Sequence, residues 1–302
     1  MYNTDKHNNG SADHHSENEH NSTPETIIII NCVLNAPLMP ISILGNALVL
    51  ATIIRTPSIR STHIIMLCSL AVSDFLVGLI AQPIYIAYLL TKDSIVSYVG
   101  VLTGPSLCVV SLMTITAITV DRFLALHFHM RYATLVTESR VKYTLTIMWL
   151  ISFLFSGFFF WNSRIHKFVM ATVIIICLLI SMASYVRIYC LIRRHQLQIH
   201  AQQRAVQRPD FGNLNLARLK RSAINTFVFY IVLIICYLPL YVLWTLHGLS
   251  IKDWQTDWEF AITAVFMNSS INPLKYCWRL RELRTAVSKT ARQMLCKQTE
   301  EN

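Results

Sequence analysis

Seven long apolar segments constrain this chain of 302 residues more than any other feature. They lie at roughly 26–54, 62–90, 96–127, 141–160, 168–193, 216–248 and 256–277. Each has the roughly 20 residues that a helix needs to cross the hydrocarbon core of a bilayer. In lipid only helices and closed barrels satisfy their own backbone hydrogen bonds, and these segments lack the alternation of a barrel strand. The expected fold is an all-α membrane protein, a seven-transmembrane helix bundle over 26–277. A polar tail, 1–25, precedes it and a segment of 278–302 follows.

Charge then orients the bundle. The net charge is +10, which by itself invites a nucleic-acid partner. Once the spans are placed, only Lys6, Lys92, Arg164, Lys167 and Lys252 fall on one side, leaving 21 of the 26 Lys and Arg on the other. Cytosolic loops carry such an excess, so the N-terminus is expected outside and no nucleic acid is implied. The basic side would instead meet anionic lipid and acidic protein partners. In 279–295, Leu280, Leu283, Val287, Ala291, Met294 and Leu295 recur at helical spacing among Arg281, Arg284, Lys289 and Arg292. That pattern predicts an eighth, amphipathic helix on the cytosolic face. Cys296 beside it is a palmitoylation candidate. The outer tail is expected to be disordered, with no cleavable signal ahead of the first span, and carries glycosylation sequons at Asn9 and Asn21.

Polar residues inside spans are expensive and ask for a reason. Asp74 is read as the one charge at mid-depth. Asn46, Ser111, Asn268 and Asn272 fall at matching depth, so the five would form a polar chamber. Hydrogen-bonded water or a hard cation such as sodium would satisfy such oxygens. Asp121 and Arg122 end the third segment, where an arginine can pair with its neighbour or be released to a partner. Pro239 and Pro273 each remove a backbone hydrogen bond and permit a kink. A bistable kink would serve a switch; a static one is equally consistent with the sequence.

Gly45-Asn46, Leu70-Ala71-Val72-Ser73-Asp74, Asp121-Arg122-Phe123, Trp149, Tyr185, Cys236-Tyr237-Leu238-Pro239 and Asn272-Pro273-Leu274-Lys275-Tyr276 occur in order along nearly the whole chain. Together they resemble the signatures of rhodopsin-like, class A G-protein-coupled receptors. The resemblance implies a receptor of the plasma membrane that activates heterotrimeric G proteins. It implies that Asp74, Ser111, Asn268 and Asn272 hold sodium, that Arg122 engages the G protein, and that Tyr185 and Tyr276 rearrange on activation. Met130, Lys220 and Arg221 join the expected coupling surface.

Departures from the pattern narrow the branch. Ser97 stands where most relatives have a disulfide cysteine, Trp161 to Lys167 contains none, and Cys177 replaces a usual proline. These features resemble melanocortin receptors and, more loosely, adenosine and lipid receptors, which tilts the expected coupling towards cyclic AMP. Ile84, Ser97 and Val101 replace the acids with which melanocortin receptors bind peptide and calcium. Gly104 replaces the aspartate of amine receptors, Phe266 the lysine of opsins, and Tyr237 the usual tryptophan of the sixth helix. An acid that often latches the arginine is replaced by Leu219, so a weak latch and high basal signalling are expected.

The expected ligand cavity is apolar and aromatic, formed by Gln82, Tyr85, Gly104, Leu107, Cys108, Tyr237, Tyr241, Trp244 and Phe266 without a buried charge. Small molecules and lipids fit it; a peptide would use Asp253, Asp257 and Glu259 on the last outer loop. No internal repeat suggests a transporter, and no nucleophile, base or metal-ligand set suggests an enzyme. His63, His127, His129 and His195 read as boundary residues. The competing class is a ligandless pseudoreceptor that pairs with other membrane proteins.

Overall fold

The computed structural model describes residues 25–56, 61–128, 131–206, 228, 230–246, 249, 255–279, 285, 287 and 288. Seven long helices account for nearly all of them: α1 Glu25–Arg55, α2 Thr62–Thr91, α3 Ser94–Phe128, α4 Glu138–Phe160, α5 Ser163–Val206, α6 Tyr230–Leu246 and α7 Gln255–Arg279. A single turn, Tyr132–Leu135, links α3 to α4, and the described residues contain no strand. α1 to α5 are each long and apolar enough to cross a membrane, and α6 is a shorter apolar helix. Where they are described, the helices coincide with the seven apolar segments, the first part of the sixth (216–227) lying outside the described residues, with one notable difference. α5 continues to Val206, through residues expected as the start of a loop. Its polar end is rich in Arg and Gln, good helix formers that extend a helix wherever nothing breaks it.

Local chemistry closes the connections. Lys92 ends α2 in the left-handed conformation, with φ 51°. Asp93 Oδ1 then caps α3 by accepting from the backbone N–H of Ile95 and Val96 at 2.8 and 3.0 Å. Asn162 does the same for α5, accepting from Arg164 and Ile165 at 2.9 and 3.1 Å. Within α2 the chain opens into a π-helical turn over Val77–Ala81. Pro83 is the second residue of the next segment, where its missing N–H and its ring disfavour an ordinary helical turn.

The surface is apolar and much of the interior polar. Leu44, Ile54, Leu90, Leu154, Ile180 and Leu274 are exposed, whereas Asn35, Asn46, Asp74, Gln82, Ser111 and Asn268 are fully buried. That distribution suits a bundle surrounded by lipid. Two apolar clusters divide the interior. Val77, Leu107, Leu112, Met170, Leu233, Tyr237 and Phe266 lie in one, towards the end that carries Lys92 and Asn162. Val49, Leu67, Leu70, Ile118, Val141 and Leu145 form the other, near Arg122, and Val287 packs against it. Thr285, Val287 and Ser288 are helical; the rest of the expected amphipathic helix after Arg279 lies outside the described residues.

Close helix approach rests on glycine. A Cβ on Gly45 of α1 would stand 2.8 Å from Pro273 Cγ and 3.0 Å from its Cβ in α7. Pro273 therefore packs against α1 as a buried ring. Gly45→Ala should force these helices apart and cost about 1–3 kcal/mol. Thermal unfolding of the purified variant should show a fall in Tm of several degrees.

Candidate functional site

Three sites lie along the bundle. The central one surrounds Asp74, which is wholly buried in α2. Ser111 Oγ donates to Asp74 Oδ1 at 2.8 Å, and Asn272 Nδ2 donates to Oδ2 at 2.7 Å. The Asp74 carbonyl accepts from Ser42 Oγ at 2.8 Å, while Asn46 Nδ2 reaches the carbonyls of Ser42 at 2.8 Å and Ser269 at 3.3 Å. α1, α2, α3 and α7 thus meet through one polar network, and the residues expected to form the chamber are together.

A second charge sits in the same chamber, one that the reading of the spans did not assign to it. Lys275 Nζ donates to Asn268 Oδ1 at 3.0 Å and to Asn272 Oδ1 at 2.8 Å. The three residues are spaced i, i+4 and i+7 on α7 and therefore share a face. Asn272 bridges the two charges: its N–H serves the carboxylate and its carbonyl the ammonium. Two of the oxygens expected to hold sodium are engaged by an ammonium. The signal lay in the seven-residue interval from Asn268 to Lys275, within the motif read as Asn272-Pro273-Leu274-Lys275-Tyr276.

The second site is the Arg122 end of α3. Arg122 Nη2 lies 2.7 Å from His63 Nε2, which accepts through its ring lone pair. His63 Nδ1 lies 3.8 Å from Asp121 Oδ2, and Asp121 Oδ1 accepts from Tyr132 hydroxyl at 2.7 Å. Asp121 is buried. His63 is therefore part of a cage around the acid–arginine pair rather than a boundary residue. α2 thereby supplies a partner for Arg122, while Leu219, on which the weak-latch expectation rested, lies outside the described residues. Nearby, Thr119 Oγ1 donates to Tyr185 hydroxyl at 3.2 Å, and the Tyr185 ring packs 5.2 Å from Tyr230. Met130, Leu219, Lys220, Arg221, the Tyr276 side chain, Cys296, Asn9 and Asn21 lie outside the described residues.

The third site is a cavity of about 170 Å³ between α2, α3, α5, α6 and α7. Tyr85, Gly104, Cys108, Tyr237, Trp244 and Phe266 line it as expected. Gln82 and Leu107 are instead buried outside its wall, and Tyr241 packs, half-buried, against the neighbouring apolar cluster. Leu107 follows Ser106 on the packed side of α3, whereas Gly104 and Cys108, one turn apart, face the opening. Tyr237 forms the floor and donates its hydroxyl to the Cys108 carbonyl at 3.0 Å. Pro239, two residues on, is exposed on the outside of α6.

The cavity wall does have a buried charge behind it. Glu259 was expected on an outer loop but stands inside α7, buried, and accepts from Tyr85 hydroxyl through Oε2 at 2.5 Å. Asn31, Asn35 and Thr263 continue the polar seam between α1 and α7. The Asp253 and Asp257 side chains lie outside the described residues.

The model of the 7 transmembrane receptor (rhodopsin family) matches residues 45–168. Together with the helical bundle and the relatives below, that match supports a class A G-protein-coupled receptor, a membrane receptor that signals through G proteins. Melanocortin receptor 4 of Danio rerio is 25% identical over 292 residues, covering 89% of this chain and 85% of the relative. Adenosine receptor A3 of Ovis aries is 24% identical over 272 residues, covering 80% and 83%. Histamine H2 receptor of Canis lupus familiaris is 25% identical over 295 residues, covering 87% and 79%.

Among the described residues, the amide of Asn272 touches both charges of the central chamber. Asn272→Ala should break the link between them, leaving Asp74 with Ser111 and Lys275 with Asn268, and cost about 3 kcal/mol, above the loss of a neutral hydrogen bond. Surface expression and Tm should fall further than in Ser42→Ala, which removes a single neutral bond.

Proposed function

We propose that this protein is a plasma-membrane receptor, N-terminus outside, whose cavity takes a small and largely aromatic ligand. Binding there releases Arg122 to a heterotrimeric G protein of the stimulatory, cyclic-AMP-raising type. The observation that carries the reading is the shared use of α3. Gly104 and Cys108 line the cavity, Ser111 holds Asp74, and Arg122 sits in the cage at the far end. Eighteen residues separate Gly104 from Arg122, about 27 Å along one helix. Small shifts at the cavity can therefore bias packing at the cage without an intermediary domain.

Size and wall chemistry support the ligand class. Aromatic rings dominate the lining, and Gly104 has no atom within 4 Å of where a Cβ would stand, so the space beside α3 is open. Glu259 behind Tyr85 favours a ligand with one hydrogen-bond donor or basic group reached through the tyrosine. The likeness to adenosine and histamine receptors suits a small nitrogen-containing ring. The stimulatory coupling is carried over from the sequence resemblance to melanocortin and adenosine receptors. An amine bound in the manner of amine receptors is disfavoured by Gly104.

Ligand-free activation of each G-protein class, at equal surface expression, tests the coupling. His63→Ala removes a charge-assisted hydrogen bond of about 1.5–3 kcal/mol and should raise basal signalling roughly ten-fold, unless the wild type already nears its ceiling. Arg122→Ala should abolish the signal. Silence of His63→Ala across all classes would overturn the coupling assignment and favour the pseudoreceptor.

Gly104→Leu tests the cavity. It should fill the open space and cut the response to a screened agonist at least ten-fold, with basal signal and surface expression preserved. An unchanged response would place the ligand elsewhere.

A further inference from the structure

We infer that Lys275 is a built-in cation whose ammonium takes the place of an exchangeable sodium ion in the Asp74 chamber, making this receptor indifferent to sodium.

A carboxylate buried as completely as Asp74 needs a positive partner within its network or must give up its proton-free form. The network contains such a partner. Lys275 Nζ makes two hydrogen bonds, at 3.0 and 2.8 Å, to the carbonyls of Asn268 and Asn272. The Asn272 N–H closes the circuit to Asp74 Oδ2 at 2.7 Å. Orientation follows from this arrangement: an amide placed between an ammonium and a carboxylate must present its oxygen to the first and its N–H to the second. Asn272 therefore turns its oxygen towards the lysine and its N–H towards the carboxylate.

A free sodium ion would need the same oxygens. Hard monovalent cations are held by several carboxylate, carbonyl and hydroxyl oxygens at once. In this chamber Asp74 already accepts from Ser111 and Asn272, and both asparagine carbonyls accept from the lysine. Entry of sodium would place two positive charges on one ligand set. The lysine also differs from a bound ion in mechanism. It is covalently part of α7, two residues after Pro273, so it stays with the helix when the helix moves. The chamber's cation is then a constant of the fold and not a variable set by the medium.

The test reads the receptor itself and does not depend on its ligand or on G-protein coupling. Purified full-length protein is unfolded thermally in sodium chloride and in choline chloride at equal ionic strength. Wild type should give the same Tm in both. Lys275→Met removes the internal cation and leaves Asp74 uncompensated, so its Tm should be lower in choline and recover by about 3 °C or more in sodium. Asp74→Asn added to Lys275→Met should erase the sodium effect, which locates it in the chamber. A sodium-dependent Tm in wild type would overturn the inference. So would a Lys275→Met protein indifferent to sodium, or a sodium effect that survives Asp74→Asn. If Lys275→Met does not accumulate, Lys275→Gln replaces it with the same expected gain, and the wild-type measurement stands alone.

Discussion

Burying a carboxylate in the middle of a bundle surrounded by lipid imposes an obligation on every helix near it. Away from bulk solvent, the Asp74 carboxylate needs hydrogen-bond donors, and here they come from other helices. Ser111 and Asn272 provide them, and the carbonyl of the same residue anchors Ser42. Four helices are thereby drawn to one point. The close contact of Gly45 with Pro273 follows the same geometry, because α1 can approach α7 only where a side chain is missing. Hydrogen bonding and small-residue packing supply what the hydrophobic effect cannot supply between helices already in an apolar solvent.

That centre separates two ends with different chemistry. The Tyr85 end is a cavity walled by aromatic rings, with a carboxylate set one layer behind them. The Arg122 end is an electrostatic cage built from α2, α3 and the turn that contains Tyr132. α3 contributes to all three levels, and its length converts a local event at Gly104 or Cys108 into a packing question at Arg122. His63 gives the arginine a partner from α2.

Much of this was legible in the residues. Seven apolar stretches specify seven helices, because backbone satisfaction in lipid leaves few alternatives. The depth of Asp74, Ser111, Asn268 and Asn272 could be counted along their segments, so their convergence was foreseeable. The cavity was only partly so. Gln82, Leu107 and Tyr241 were assigned to it from approximate helix phase, and phase is where a sequence is weakest. The π-helical turn at Val77–Ala81 shifts the residues beyond it, Gln82 among them, around the axis of α2.

The sequence by itself determined the class of this protein, its helix count and the presence of costly polar groups at known depths, since each depends on composition and spacing along one helix. Only the tertiary structure decided the partners. Lys275 turned out to be the chamber's cation, His63 the latch on Arg122, and Glu259 a buried carboxylate behind Tyr85. Long side chains such as lysine and glutamate can turn inward or reach for the membrane surface from the same position. Which they do is set by the donors and acceptors that neighbouring helices bring within about 3 Å, and that information is not carried by any one segment.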